Sequence, residues 1–157
     1  MEPRIDLTTN ELGAKIGKRI AAVSQVIMQS ALPKSTQDLL ALRISQINGC
    51  GWCTDIHTKE AAAAGETTLR LSLLAAWRET TVYSEAERAA LALAEEGTWL
   101  GDADHGVSDE TWDQARKHYD EDQLVLLVSL IAMMNATNRL CVITRMQGGS
   151  YEVGMLG

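Results

Sequence analysis

Residues 42–58 read LRISQINGCGWCTDIHT and contain the Cys-x-x-Cys motif of the chain. The first half of this stretch has the apolar spacing of a helix, which ends at Asn48-Gly49. A further helix begins at Cys50, so the two cysteines of the Cys-x-x-Cys motif straddle a helix start. Sulfurs placed in this way lie on one face and are close enough to bridge. The stretch therefore predicts two consecutive helices that meet at a dithiol.

The remainder of the chain also favours helices. Apolar residues recur every three or four positions, and cap-type residues such as Ser84 and Ser108 precede several of these runs. We expect helices at about residues 8–31, 35–48, 50–65, 67–77, 84–97, 108–119 and 121–146. The last few residues are expected to be loosely ordered. The predicted fold class is all-α, with about seven helices in a single domain over residues 1–157.

Charge and patterning exclude several functional classes. The formal net charge of −7 and the absence of a Lys/Arg cluster disfavour nucleic acid as a partner. The longest apolar run, Leu124 to Met134, is short of the roughly 20 residues that span a bilayer, and it indicates a buried helix. No secretory signal pattern opens the chain, and three cysteines cannot form a complete disulfide framework. We therefore expect a cytoplasmic protein that does not bind membranes.

The dithiol has the features of a redox centre. A helix N-terminus stabilises a thiolate and lowers the pKa of a cysteine placed there. His57 lies four residues after Cys53, one turn along the helix, where it can accept the proton of that thiol. Cys53 is thus the better activated thiol and Cys50 the natural resolving partner. Oxidation of Cys53 to a sulfenic acid, followed by attack of Cys50, would yield a disulfide and water.

Three other interpretations of the motif stay open. A zinc ion could bind Cys50, Cys53 and His57, but it requires a fourth ligand, and the other soft candidates, none of them paired, are Cys141, His105 and His118. A thioredoxin-like domain needs strands around its motif, whereas the sequence before Cys50 is helical. The third interpretation is that both cysteines are buried and have no function. That is common for a single cysteine, but it accounts poorly for the pattern Cys-x-x-Cys-x-x-x-His at a helix start.

The remaining polar candidates point to structure rather than catalysis. His105 is expected to be solvated in an acidic loop, His118 to cap a helix, and Cys141 to be a core thiol. Three polar residues interrupt the last apolar helix and need partners, which indicates an interface or a hydrogen-bond network: Asn135, Asn138 and Arg139.

These patterns together resemble the alkylhydroperoxidase-like (AhpD-like) branch of the carboxymuconolactone decarboxylase superfamily. The resemblance covers about residues 4–145 and is carried by four stretches: Leu42 to Thr58, Trp77 to Thr80, Tyr83 to Leu91, and Asn135 to Leu140. It implies an all-α AhpD-like fold, a homotrimer or homohexamer, and thiol-dependent reduction of organic hydroperoxides without a metal or haem. Decarboxylase members lack the cysteine pair, which disfavours lactone chemistry here.

The resemblance also assigns roles to residues. By motif position Cys53 is peroxidatic, Cys50 is resolving and His57 is the base. The family's proton relay includes a glutamate twelve residues before the first cysteine, and that position is Asp38 here, a carboxylate shorter by one methylene. Trp52 stands where the characterised alkylhydroperoxidases carry a histidine. The electron donor would be a small dithiol or a protein, and the alternative function is a thiol redox sensor or redox-regulated oligomeric protein without efficient turnover.

Overall fold

A computed structural model describes residues 2–101 and 106–155 of the chain. The described residues form seven α-helices and no strand, which confirms the predicted all-α fold class. The helices are α1 (Glu11–Met28), α2 (Lys34–Ile47), α3 (Gly51–Ala63), α4 (Thr68–Leu73), α5 (Glu85–Thr98), α6 (Asp109–His118) and α7 (Glu121–Thr144). Most of them begin and end within a few residues of the predicted bounds, and cap residues such as Ser84 and Ser108 lie where the sequence placed them.

The fourth helix differs from its prediction. A single helix was expected through Trp77, but α4 ends at Leu73 and a 3₁₀ helix continues over Leu74–Glu79. Ala76 has a non-helical backbone conformation, with φ −116° and ψ 26°. The tighter winding turns the buried Trp77 indole towards α5, where its N–H donates to Glu95 at 2.9 Å.

Helix α2 lies at the centre of the molecule, because its buried residues cover more than one face. Leu39, Leu40 and Ile44 have no exposed surface. The helix packs against α3, α5, α7 and the 3₁₀ helix. Its C-terminal end leads directly into the Cys-x-x-Cys motif, so the core of the domain positions the dithiol.

Helix α7 packs on the core through one face only. Its buried positions recur every three or four residues, from Leu124 to Thr144, and contact α1, α2, α3, α5 and α6. Val125, Val128 and Ile143 on the other side are exposed. By length and composition alone α7 is apolar enough to cross a membrane, a test that core helices of globular domains also pass. The prediction of a buried helix therefore holds for one of its faces.

Helix α1 lies outside the core. Its predicted amphipathic spacing is present, but Ile27 is its one buried residue, while Leu12, Ile16 and Val23 are exposed. Among the helices, its main contact is with α7. The apolar side of α1 thus has little to pack against within one copy of the chain.

Glu95 of α5 links three elements through a buried carboxylate. Its oxygens accept hydrogen bonds from Arg43 of α2 at 2.8 Å, from the Trp77 indole at 2.9 Å and from Arg78 at 2.8 Å. Arg43 is itself largely buried, with 13% of its side chain exposed. Removal of the carboxylate would leave this guanidinium without its counter-charge.

We expect Glu95→Ala to lower the free energy of unfolding by about 3–5 kcal/mol, the usual cost of leaving a buried charge unpaired. Urea titration monitored by circular dichroism measures the change. Glu79→Ala, which removes an exposed glutamate from the neighbouring 3₁₀ helix, is the control and should stay within about 0.5 kcal/mol of wild type. Equal stability of Glu95→Ala and Glu79→Ala would contradict the structural role of Glu95.

Candidate redox site

The two cysteines of the motif are joined as a disulfide at the start of α3. Cys50 is the N-cap of the helix and Cys53 lies in its first turn. The backbone N–H of Cys53 donates to the Cys50 sulfur at 3.2 Å. Both residues are buried, with 1% and 2% of their surface exposed. The predicted pairing is therefore present, and the free N–H groups of the helix start act on Cys50 more directly than on Cys53.

A third sulfur belongs to the same cluster. The sulfurs of Cys50, Cys53 and Cys141 all lie within 4.8 Å of one another. Cys141 comes from α7 and is 7% exposed, so its prediction as a buried core thiol is confirmed, but its place beside the disulfide was not predicted. Burial raises the pKa of its thiol. In the sequence, the sign of this contact is that Cys141 follows Asn138 by three residues, so that both residues lie on the same side of the last helix.

The same three residues are the candidate ligands for a metal in the described part of the chain. Three thiolates would suit a soft cation such as zinc or copper(I) once the disulfide is reduced. This set includes Cys141 in place of His57, unlike the zinc site considered from the sequence. A structural zinc site requires four ligands. His105, one of the fourth-ligand candidates, lies outside the described residues, and His118 is the last residue of α6.

Asparagine side chains connect the α2–α3 corner to α7. The Asn48 side-chain amide, two residues before Cys50, donates to Asn135 and Asn138 at 3.0 Å each. The Asn138 amide, which is fully buried, donates in turn to Ser45 at 3.2 Å. The sequence predicted either an interface or a hydrogen-bond network for the polar residues of α7, and the structure shows the hydrogen-bond network. The network holds Cys141 opposite the dithiol.

The residues after α7 cover the redox site, so the prediction of a loosely ordered tail is wrong for residues 148–154. Asp55 of α3 accepts hydrogen bonds from the backbone N–H groups of Gly149 at 2.6 Å and Tyr151 at 3.1 Å. The buried Tyr151 ring donates its hydroxyl to Glu60. We call residues 148–154 the C-terminal cover. Partners on α3 order it, which its own composition could not reveal.

Within the cover, Gly148 packs against the backbone of Gly51. A Cβ atom on Gly148 would clash with the Gly51 carbonyl, which lies between the two cysteines in sequence. Trp52 and Met146 pack against the three sulfurs, and the Trp52 ring meets Tyr151 edge-on with centroids 6.4 Å apart. Trp52 thus acts as an apolar wall of the site.

We expect Gly148→Ala to expose the disulfide, because a methyl group at this position cannot fit against Gly51. The rate of reduction by dithiothreitol should rise about tenfold or more, since each 1.4 kcal/mol of lost local stability increases the open population tenfold. Alkylation of samples taken over time, followed by intact-protein mass spectrometry that counts the released thiols, measures the rate. Ser150→Ala, on an exposed residue of the same segment, is the control. A wild-type reduction rate in Gly148→Ala would show that the cover does not limit access.

His57 is a neutral imidazole at ordinary pH. Burial lowers its pKa to about 4, the positive charge of Lys34 contributes in the same direction, and Glu60 opposes the shift. A neutral ring can accept a proton, as the sequence analysis requires of a base. Its position one turn after Cys53 follows from the continuous α3 helix.

Asp38 pairs with Lys34 rather than with His57. Its carboxylate accepts a hydrogen bond from Lys34 one turn earlier on α2, and the described residues show no hydrogen bond between Asp38 and His57. Burial raises the pKa of Asp38, while the Lys34 hydrogen bond lowers it. Lys34 and Glu60 shift the pKa values of both Asp38 and His57, so the two lie in one electrostatic environment.

The pKa of His57 predicts a specific dependence of stability on pH. Between the unfolded value of about 6.5 and the folded value of about 4, the unfolded chain binds more protons, so stability rises with pH and falls on acidification. From pH 7 to pH 4, wild type should lose up to about 3 kcal/mol more than His57→Gln. Urea titrations at both pH values measure this difference.

The exposed His118, replaced by glutamine, is the matched control for the loss of an imidazole. Equal losses on acidification in wild type and His57→Gln would contradict the desolvated, neutral state of His57.

Two open clefts lie on the surface of the described residues. The larger, about 470 Å³, is lined mainly by apolar side chains of α5 and α7, and none of the cysteines, His57 or Asp38 lines it. The smaller, about 340 Å³, is lined by Asp38 and Lys34 of α2, by Ala61 of α3 and by Arg70 and Glu87. Ala61 lies one turn after His57, so this charged cleft is the one that adjoins the predicted relay.

Comparison with known proteins places these features in a wider group. The model of the carboxymuconolactone decarboxylase family matches residues 14–96. The uncharacterized protein YdfG of Bacillus subtilis is 42% identical over 114 residues, covering 73% of this chain and 76% of that protein. The alkyl hydroperoxide reductase AhpD of Rhodopseudomonas palustris is 37% identical over 75 residues, covering 45% of this chain and 41% of that protein.

A solved structure is similar over nearly the whole chain. ATU0492 of Agrobacterium tumefaciens is a protein of unknown function described as a candidate antioxidant defence protein AhpD. It superposes with a TM-score of 0.87 at 29% identity and covers 96% of this chain and 100% of that one.

Proposed function

Because this chain belongs to the carboxymuconolactone decarboxylase family, in its alkylhydroperoxidase-like branch, we propose that it is a thiol-dependent peroxidase that reduces organic hydroperoxides. The observation that carries the proposal is the Cys50–Cys53 disulfide at the start of α3. A dithiol that closes within one helical turn can store the two electrons that cleavage of a peroxide bond requires.

The reaction begins with the Cys53 thiol, whose proton passes to neutral His57. The thiolate attacks the terminal oxygen of the hydroperoxide, the O–O bond breaks, and the alkoxide takes the proton held by His57 and leaves as the alcohol. Cys53 is then a sulfenic acid, which the Cys50 thiol attacks to form the disulfide with release of water. A dithiol or protein electron donor returns two electrons and two protons to the pair.

His57 is the base of this scheme, and Asp38 is a positioning residue. The low pKa of His57 leaves the ring unprotonated at ordinary pH, and the negative charge of a thiolate formed at Cys53 would stabilise the proton that the ring accepts. Asp38 neutralises Lys34, whose charge otherwise disfavours a proton on His57. The carboxylate thus supports proton uptake at His57 through Lys34, without direct contact between Asp38 and the ring.

The assembly proposed with this function is a homotrimer or homohexamer. Its interface would bury the exposed apolar faces of α1 and α7, which include Leu12, Ile16, Val26, Val128 and Ile143. Exposed apolar patches of this kind mark interaction surfaces. We place the working protein in the cytoplasm, where thiol reductants are available.

A peroxide-consumption assay with excess dithiothreitol and cumene hydroperoxide tests the function. Wild type should turn over many times, and Cys53→Ser should fall to the rate without protein. His57→Gln should lose about 10²-fold or more in rate, the usual contribution of a general base. His118→Gln, far from the dithiol in sequence and exposed on α6, is the control for a lost histidine. Equal rates in wild type and Cys53→Ser would end the proposal.

The near-complete burial of both motif sulfurs favours a second candidate, a redox sensor. In that function one equivalent of peroxide closes the disulfide and alters oligomer contacts, without efficient turnover. Light scattering of the reduced and oxidised protein separates the two functions. An unchanged assembly with many turnovers rejects the sensor, whereas stoichiometric oxidation with a change in mass rejects the peroxidase.

A further inference from the structure

The proposed peroxidase reaction uses the sulfurs of Cys50 and Cys53, but the site contains a third sulfur. Cys141 has a free thiol, and its sulfur lies within 4.8 Å of both sulfurs of the disulfide. A disulfide bond is about 2.05 Å long, so the Cys141 sulfur needs to move by no more than about 2.8 Å to bond with either neighbour. Rotation of one side-chain torsion produces movements of this size.

The approach of Cys141 is built into the hydrogen bonds between helices. Asn138 lies three residues before Cys141, and Asn48 lies two residues before Cys50, and their side chains are hydrogen-bonded at 3.0 Å. The backbone of Cys50 is held by the Ser45 carbonyl at 3.0 Å, and the Cys141 carbonyl accepts the Met146 N–H at 2.9 Å. Both sides of the cluster are therefore anchored, and the contact does not depend on a mobile surface residue.

We propose that Cys141 is a third redox-active thiol, a second resolving cysteine that forms a disulfide with Cys53 or with Cys50. The proposal rests on the proposed function only for the source of the Cys53 sulfenic acid. In that step the Cys141 sulfur attacks the sulfenic sulfur, a Cys53–Cys141 disulfide forms, and the hydroxyl leaves as water with the Cys141 proton.

The same contact allows exchange without any net oxidation. Deprotonated Cys141 attacks one sulfur of the Cys50–Cys53 disulfide, a new disulfide forms, and the displaced thiolate takes up a proton. A sulfenic acid on Cys53 thus has two thiols within reach, which shortens its exposure to a second peroxide molecule. Further oxidation to the sulfinic acid would be irreversible in most proteins.

The test uses Cys50→Ser, which leaves Cys53 and Cys141. Serine is a good N-cap, so α3 should still form, and circular dichroism checks the fold. The reduced protein, at about 10 μM and with a chelator to remove bound metal, receives one equivalent of diamide, which takes two electrons and two protons from a thiol pair. Alkylation, digestion and mass spectrometry then identify the disulfide.

We expect most of the Cys50→Ser protein to carry an intramolecular Cys53–Cys141 disulfide. Thiols held together in this way have effective concentrations of at least millimolar, which favours this product over bonds between molecules by about a hundredfold. Recovery of two alkylated thiols, or of disulfides mainly between molecules, would overturn the proposal. Wild type, which closes Cys50–Cys53, shows that the oxidant enters the site, and Cys50→Ser/Cys141→Ser is the matched control with one thiol.

Two features keep the result decisive. If Cys50→Ser does not fold, Cys53→Ser keeps Cys50 and Cys141 and is decided by the same product, a Cys50–Cys141 disulfide. Diamide replaces peroxide, so the outcome does not depend on peroxidase activity. Turnover without a Cys141 disulfide rejects this proposal alone, and a Cys141 disulfide without turnover rejects only the proposed function.

Discussion

The hydrogen bonds from Asn48 to Asn135 and Asn138 are the interaction on which the redox site depends. Amide groups placed in the apolar face of α7 would be costly without partners, and here each of these side chains is satisfied by another. Since Asn48 ends α2 just before Cys50, the network sets the distance between the start of α3 and α7. The contact between Cys141 and the disulfide follows from that distance. Stability and redox geometry therefore share the same polar groups.

Burial determines the chemical character of the site. The three sulfurs lie behind Trp52, Met146 and the C-terminal cover, and His57 loses its charge for the same reason. The helix start beside the sulfurs favours thiolate formation, and we expect the cover to restrict the entry of peroxide and reductant. The reactivity of the thiols thus depends on α3, whereas the access of small molecules to them depends on residues that follow α7. The two properties can vary independently, because different parts of the chain control them.

The structure differs from the sequence-based expectations mainly where contacts between distant residues determine the local conformation. A continuous helix through Trp77 was expected, but the hydrogen bond from its indole to Glu95 accompanies a 3₁₀ helix. The tail was expected to be loose, but Asp55 and Glu60 order it. The amphipathic spacing of α1 is real, yet most of its apolar side is exposed within one copy of the chain. In the first two cases the partner lies far away in sequence, and in the third the apolar side has no partner among the described residues of one copy.

Spacings of three and four residues, together with local caps, predict the helical fold class, the approximate helix bounds and the pairing of Cys50 with Cys53. His57 follows for the same reason, as it lies on the same helix as Cys53. The tertiary structure brings Cys141 to the pair and places residues 148–154 over the site. These contacts come from helix packing and from hydrogen bonds between distant segments, which no local pattern encodes.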